Sequence, residues 1–167
     1  MDRLWAPWRL EYVAADPETK KQAPENFIVY ADGACADREN LVVLRTDLSI
    51  VILNRFPYNN GHVLVAPRRA APNLEDLDDA ELLDVQKTLT AVVSALRTLM
   101  RPDGFNIGLN LGRAAGAGLP QHLHWHVVPR WSGDVNYMTV TGDARVIVQS
   151  LDALWLMLRE HFGLPTS

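Results

Sequence analysis

The stretch Gln121-His122-Leu123-His124-Trp125-His126-Val127-Val128-Pro129-Arg130 sets three of the chain's five histidines in alternation with apolar residues. Alternation has period two. On a β-strand, His122, His124 and His126 therefore share one face, while Leu123, Trp125 and Val127 turn into a core on the other. Same-parity neighbours sit about 6.6–6.8 Å apart along a strand, so the three rings can address one ligand together or be held by separate backbone groups. The pattern asks for a strand whose second face does chemistry.

Composition narrows the setting. The 167 residues fit one domain, 1–167, and a domain of that size buries roughly 70% of its unfolded surface without needing a staple. Cys35, the single cysteine, excludes an intrachain disulfide and any metal site built on two thiolates. The net charge of −4 argues against nucleic acid as a partner, since that binding rests on clustered Lys and Arg that displace counterions. A small anionic ligand stays compatible with it. The start, Met1-Asp2-Arg3-Leu4-Trp5-Ala6-Pro7-Trp8, lacks an apolar leader core, and no run approaches the roughly 20 apolar residues of a membrane span. No membrane partner is expected, and the reducing cytoplasm is the expected compartment.

Residues 1–25 hold two tryptophans and mixed charge without period and read as an irregular N-terminal arm. From Asn26 to about residue 140 runs the expected core. Short β-rich runs, Phe27–Ala31, Leu41–Arg45, Leu48–Leu53 and His62–Ala66, are parted by turn formers such as Tyr58-Asn59-Asn60-Gly61, as in an antiparallel meander. Between Asp79 and Met100 apolar residues recur at Leu82, Val85, Leu89, Val92, Val93, Leu96, Leu99 and Met100 behind an N-cap candidate, Asp78, which predicts a long helix. Phe105–Asn110 reads as a further strand, and the loop Gly112–Gly118 leads into the histidines. Residues 141–167 form a C-terminal segment and a helix from about Ser150, with Leu151, Leu154, Trp155, Leu158 and Phe162 on one side. The expected class is α+β: an antiparallel sheet of about five strands with one long helix and a C-terminal helix.

Two chemistries compete for the histidine row. Three imidazoles and a water complete a zinc site, but three same-face residues of one strand form a line where tetrahedral ligands must converge. Alternatively, one imidazole is a nucleophile whose other ring nitrogen is held by a hydrogen bond. His124, flanked on both sides, is the natural candidate. Attack on phosphorus develops charge on the phosphoryl oxygens, which calls for amide donors such as the Gly112–Gly118 loop and protonated groups such as His122.

The heptad His122-Leu123-His124-Trp125-His126-Val127-Val128 resembles the defining motif of the histidine triad (HIT) superfamily of nucleotide hydrolases and transferases. Leu48–Pro57 followed by Gly61-His62-Val63-Leu64-Val65 is similar to that family's nucleotide-binding strand, turn and strand. The stretch Gly104–Gly112, the N-terminal Leu4-Trp5-Ala6-Pro7-Trp8-Arg9 and Pro129-Arg130-Trp131 resemble the bacterial branch that includes diadenosine tetraphosphate phosphorylases and its fragile-histidine-triad-like relatives. The resemblance implies a HIT-like fold, usually homodimeric, acting on a nucleotide substrate. It implies His124 as the nucleophile on the α-phosphorus, His126 holding its other ring nitrogen or the local backbone, and His122 with His62 supporting the phosphate region. It further implies substrate contacts from Asn54 at the ribose, from Asn110 and the loop residues Ala117 and Gly118 at the phosphates, and from Trp131 near the site.

Two positions depart from the family pattern. The region Asn26-Phe27-Ile28-Val29-Tyr30 lacks the cysteine pair that many relatives carry, so no resident metal is expected. Gly118 stands where relatives carry Ser or Gln. No cofactor is expected to be required, and a divalent cation travelling with the substrate phosphates is compatible with the reading. The expected activity is cleavage of dinucleoside polyphosphates through a nucleotidyl-His124 intermediate, by phosphorolysis or hydrolysis. The alternatives are a nucleoside phosphoramidate or adenylyl-sulfate hydrolase, and a nucleotide-binding regulatory module with weak catalysis.

Overall fold

Alternating and continuous apolar runs between turn formers build one five-stranded sheet in the computed structural model, which describes Phe27, Tyr30 and residues 36–134 and 147–166. The chain divides into two units, Met1–Pro24 with Gly133–Val146 and Glu25–Ser132 with Ile147–Ser167. Every element below belongs to the second. The N-terminal arm and most of the segment around 137–148 lie outside the described residues.

The strands are β1 (Val42–Arg45), β2 (Ser49–Leu53), β3 (Val63–Pro67), β4 (Gly104–Leu109) and β5 (Trp125–Arg130). They run antiparallel in the order β1-β2-β3-β5-β4. Strands β2 and β3 are buried at every position, which fits their near-continuous apolar sequences: both of their faces are covered. The register sets Ser49 opposite Pro67 and Leu53 opposite Val63, then Val65 opposite Trp125 and Val63 opposite Val127. Period two thus places Val51, Val65, Trp125 and Val127 on one face and Ile52, Leu64 and His126 on the other.

Helix α1 (Asp79–Met100) starts where expected. Asp78 accepts from the Glu81 N–H, and the Glu81 carboxylate accepts from the Asp78 N–H, closing a capping box that satisfies two otherwise orphaned donors. Val85, Leu89, Val92 and Leu96 are buried, one face at helical spacing. Leu82, expected on that face, is 39% exposed. Arg101 turns left-handed at φ 48°, and Pro102 bars continuation. A groove lined by Leu89, Val93, Ile107 and Trp125 sets α1 over the Trp125 face of the sheet. Helix α2 (Leu151–His161) is capped by Ser150, which accepts from the Ala153 N–H. It buries Leu154, Trp155 and Leu158, and the Trp155 indole donates to Val42 O at 2.7 Å, fastening α2 to β1. Among the described residues no helix is long and apolar enough to cross a membrane.

Two expectations are corrected. Phe27–Ala31 is not a strand where it is described: Phe27 lies in a turn, Tyr30 is helical, and the Tyr30 N–H donates back to Phe27 O at 3.0 Å. The histidine strand begins only at Trp125, so His126 alone of the triad lies within it. Pairing on both sides stops there, although β3 itself runs on to Pro67. Trp125 pairs with Val65 and with Leu109, the last residue of β4, and beyond it the Leu123 N–H donates to Ala71 O at 2.8 Å instead of to a strand.

Candidate active site

His126 enters the site from β5, on the sheet face opposite α1. His62 immediately precedes β3, placed by Gly61, whose φ of 80° is a left-handed value that glycine adopts without steric cost. His122 and His124 lie on the extended approach to β5, turned by the hydrogen bond from the His122 N–H to Leu119 O at 3.1 Å. His62, His122 and His124 are buried, and His126 is half-buried.

The hydrogen bonds assign each ring its tautomer. At His122, Nδ1 accepts from the Phe27 N–H at 3.0 Å, and Nε2 donates to Pro67 O at 2.7 Å. Both nitrogens are committed to the backbone. At His124, Nδ1 donates to the carbonyl of His122 at 2.9 Å, so Nε2 keeps its lone pair, and it makes no hydrogen bond among the described residues. At His62, Nδ1 accepts from the Tyr58 N–H at 3.0 Å, which puts the proton on Nε2. That nitrogen donates to His126 Nδ1 at 2.9 Å. The His126 proton is then on Nε2, a buried N–H without a hydrogen-bond partner among the described residues. A lone pair on His124 and an N–H on His126 thus sit on neighbouring rings, centroids 5.1 Å apart.

Aromatic side chains shield the cluster. The Phe27 ring meets His122 at 5.2 Å and His124 edge-on at 5.6 Å. The Tyr58 ring lies 4.6 Å from His62 and stacks on His126 at 5.6 Å. Burial, which penalises the charged form, is the first cause of every shift: it lowers His62 to about 3, with His126 and His124 adding to the fall, and His126 to about 4, with His124 adding. His122 and His124 are also lowered, chiefly by burial, against which the carbonyls of Pro67 and His122 respectively favour protonation. The cluster is neutral at pH 7, which is the state in which a nucleophilic lone pair exists.

These bonds alter two expected roles. The second ring nitrogen of His124 is held by the carbonyl of His122, not by His126, whose own Nδ1 faces His62. His122 has no nitrogen left for phosphate and instead ties the backbone down. For the same reason three lone pairs cannot converge on one zinc ion, and among the described residues no group of three or more His, Cys, Asp or Glu is placed to hold a metal.

Asn54 lies beside His62, its amide nitrogen 3.3 and 3.4 Å from the two ring nitrogens, and its Oδ1 accepts from the Phe56 N–H at 2.9 Å. Asn110 is half-buried directly after β4, whose end flanks Trp125. The Ala117 N–H is already spent on Gly112 O at 3.2 Å, while Gly118 is exposed. Trp131 follows the far end of β5, roughly 20 Å of strand from His124 at about 3.3 Å per residue, so the fold of one chain does not bring it to the histidines. In sequence Tyr58 reads only as a turn former and Phe27 as a strand residue. Their ring contacts, Tyr58 with His62 and His126 and Phe27 with His122 and His124, show only in three dimensions.

The HIT domain family matches residues 36–133. AP-4-A phosphorylase of Mycobacterium tuberculosis is 41% identical over 156 residues, spanning 90% of this chain and 79% of the relative. An asymmetrical bis(5'-nucleosyl)-tetraphosphatase of Schizosaccharomyces pombe is 39% identical over 93 residues, 56% of this chain and 50% of that protein. Among solved structures, a hypothetical histidine triad nucleotide-binding protein from Sulfolobus tokodaii superposes with a TM-score of 0.66 at 24% identity, covering 82% of this chain and 91% of its own. With its imidazole cluster, its sheet order and a match over residues 36–133, the chain belongs to the HIT family.

Proposed function

We propose that this HIT-family enzyme cleaves dinucleoside polyphosphates of the diadenosine tetraphosphate type at the α-phosphate, through a nucleotidyl-His124 intermediate. The observation that carries the reading is the tautomer of His124: Nδ1–H is held by the His122 carbonyl, which presents Nε2 as a neutral nucleophile beside the unpartnered His126 N–H. The names of the Mycobacterium tuberculosis and Schizosaccharomyces pombe relatives support the substrate class.

In the first step His124 Nε2 forms a bond to the α-phosphorus as the bridging P–O bond breaks, and the remaining polyphosphate nucleotide leaves with that oxygen. The His126 N–H donates to an oxygen whose charge grows as the bond breaks. In the second step phosphate or water attacks the nucleotidyl phosphorus and the N–P bond breaks, returning the lone pair to His124. Asn54 is assigned to the ribose, and Asn110 with the Gly118 amide to the phosphates. A divalent cation, in this reading, arrives with the phosphates and needs no ligand set of its own.

We also propose that the working form is a homodimer joined along β4. This strand closes one edge of the sheet, exposes Ile107 at 49% and borders a groove of about 560 Å³ lined by Leu89, Val93, Arg97, Ile107 and Trp125. An edge left uncovered among the described residues, with apolar neighbours, invites strand pairing.

Incubation with diadenosine tetraphosphate, with and without inorganic phosphate, tests the activity. ADP plus ATP formed only with phosphate identifies phosphorolysis, and AMP plus ATP without it identifies hydrolysis. No product under either condition overturns the reading.

A further inference from the structure

We propose that Arg69 and Glu81 are positioning residues for the nucleophile, acting through the loop that joins β3 to α1. The inference rests on the reading of His124 as that nucleophile. The Glu81 carboxylate is 5% exposed and receives three N–H groups: Arg69 Nε at 2.9 Å, an Arg69 terminal nitrogen at 2.7 Å and the Asp78 amide at 3.1 Å. The same terminal nitrogen donates to Asp76 O at 2.6 Å. Arg69 therefore braces the start of the loop against its end and against the first turn of α1. The bidentate geometry is what a guanidinium supplies and an ammonium does not.

The capping box needs only the Asp78 contact, so helix initiation does not account for Arg69. What lies on either side of Arg69 does. Two residues before it, Pro67 O takes the His122 ring N–H at 2.7 Å. Two residues after it, Ala71 O takes the Leu123 N–H at 2.8 Å. Ala71, Leu77 and Leu123 also close a small buried cluster of their own. The segment 122–124 has left the sheet, so the carbonyls of Pro67, at the end of β3, and of Ala71, in the loop, take the place of a strand partner. The His122 carbonyl that orients His124 belongs to this held peptide. The path from Glu81 to the reactive nitrogen thus runs through Arg69, the carbonyls of Pro67 and Ala71 on either side of it, and the His122 peptide, with no contact to substrate.

The test is steady-state kinetics on diadenosine tetraphosphate for Arg69→Met, Arg69→Lys and Glu81→Gln, with urea unfolding and the NMR signal of the His124 Nδ1 proton. Because a misplacement of about 1 Å costs on the order of 100-fold, kcat per folded molecule should fall roughly 10- to 100-fold in Arg69→Met. KM should stay within about twofold, the His124 proton signal should move, and Arg69→Lys should lie between Arg69→Met and wild type. Unchanged kcat per folded molecule with an unmoved proton signal, or a rise confined to KM, overturns the proposal. His124→Ala run alongside separates the two claims: if it retains turnover, the nucleophile reading has failed. If it is inactive while Arg69→Met and Glu81→Gln match wild type, only the positioning claim has failed.

Discussion

At the scale of single residues, chemistry follows from which nitrogen carries the proton. His124 Nδ1 is spent on a carbonyl two residues away, so Nε2 is the one reactive lone pair of the triad, and His124→Ala should lower turnover per folded molecule at least about 10³-fold while keeping a cooperative urea transition, its midpoint lowered by the loss of a buried, hydrogen-bonded ring, as steady-state assays and denaturation will show. The neutral state also links folding to pH. His62 and His126 are lowered to about 3 and about 4, whereas an unfolded histidine titrates near 6.5. Between those values the unfolded chain binds more protons, so this contribution to stability is complete above about pH 6.5 and is lost as pH falls towards 4 for His126 and 3 for His62. Urea midpoints should therefore drop from pH 7 to pH 4, and less steeply in His62→Gln. An equal slope in the variant would contradict the assignment. Alternation singled out the same histidines that the fold gathers here. It carried no information on tautomers, because the partners of His122 and His62 are backbone groups and a ring 64 positions away, and such groups have no side-chain signature.

At the scale of elements, turns decide where the rings sit. Gly61 is the sharpest case, since a Cβ there would lie 2.8 Å from Pro129 Cγ and 2.9 Å from Met100 Sδ while φ stays at 80°. Gly61→Ala should cost about 2–4 kcal/mol by left-handed strain plus overpacking, measured by urea unfolding. It should also lower turnover, since the residue that moves is joined to His62. The neighbouring Asn59 amide, bonded to Pro129 O at 3.1 Å, ties the same turn to β5. The spans of α1, α2 and the strands were legible from period and caps, because Asp78, Ser150, Pro102 and the apolar spacing act locally. The start of β5 was not: strand pairing ends where β4 ends and where the loop at Ala71 offers a carbonyl instead, and neither is encoded in the histidine stretch itself.

At the scale of the whole molecule, the sheet order leaves β4 as an edge beside the groove under α1. Ile107→Lys should convert the proposed dimer to a monomer in sedimentation analysis, since a charge on an edge strand opposes pairing, and an unchanged mass would remove the edge from the interface. Trp131 shows the limit of reading motifs in sequence: five residues past His126, it lies beyond the opposite end of β5. The sequence by itself determined the α+β class, the helices, the meander and the set of histidines, because hydrophobic period and capping are local properties of a chain. Only the tertiary structure decided which imidazole is free to react, which are spent on the backbone, and that Arg69, Glu81, Tyr58 and Phe27 surround them. Those outcomes depend on burial and on hydrogen bonds between segments up to 95 residues apart, which no local pattern records.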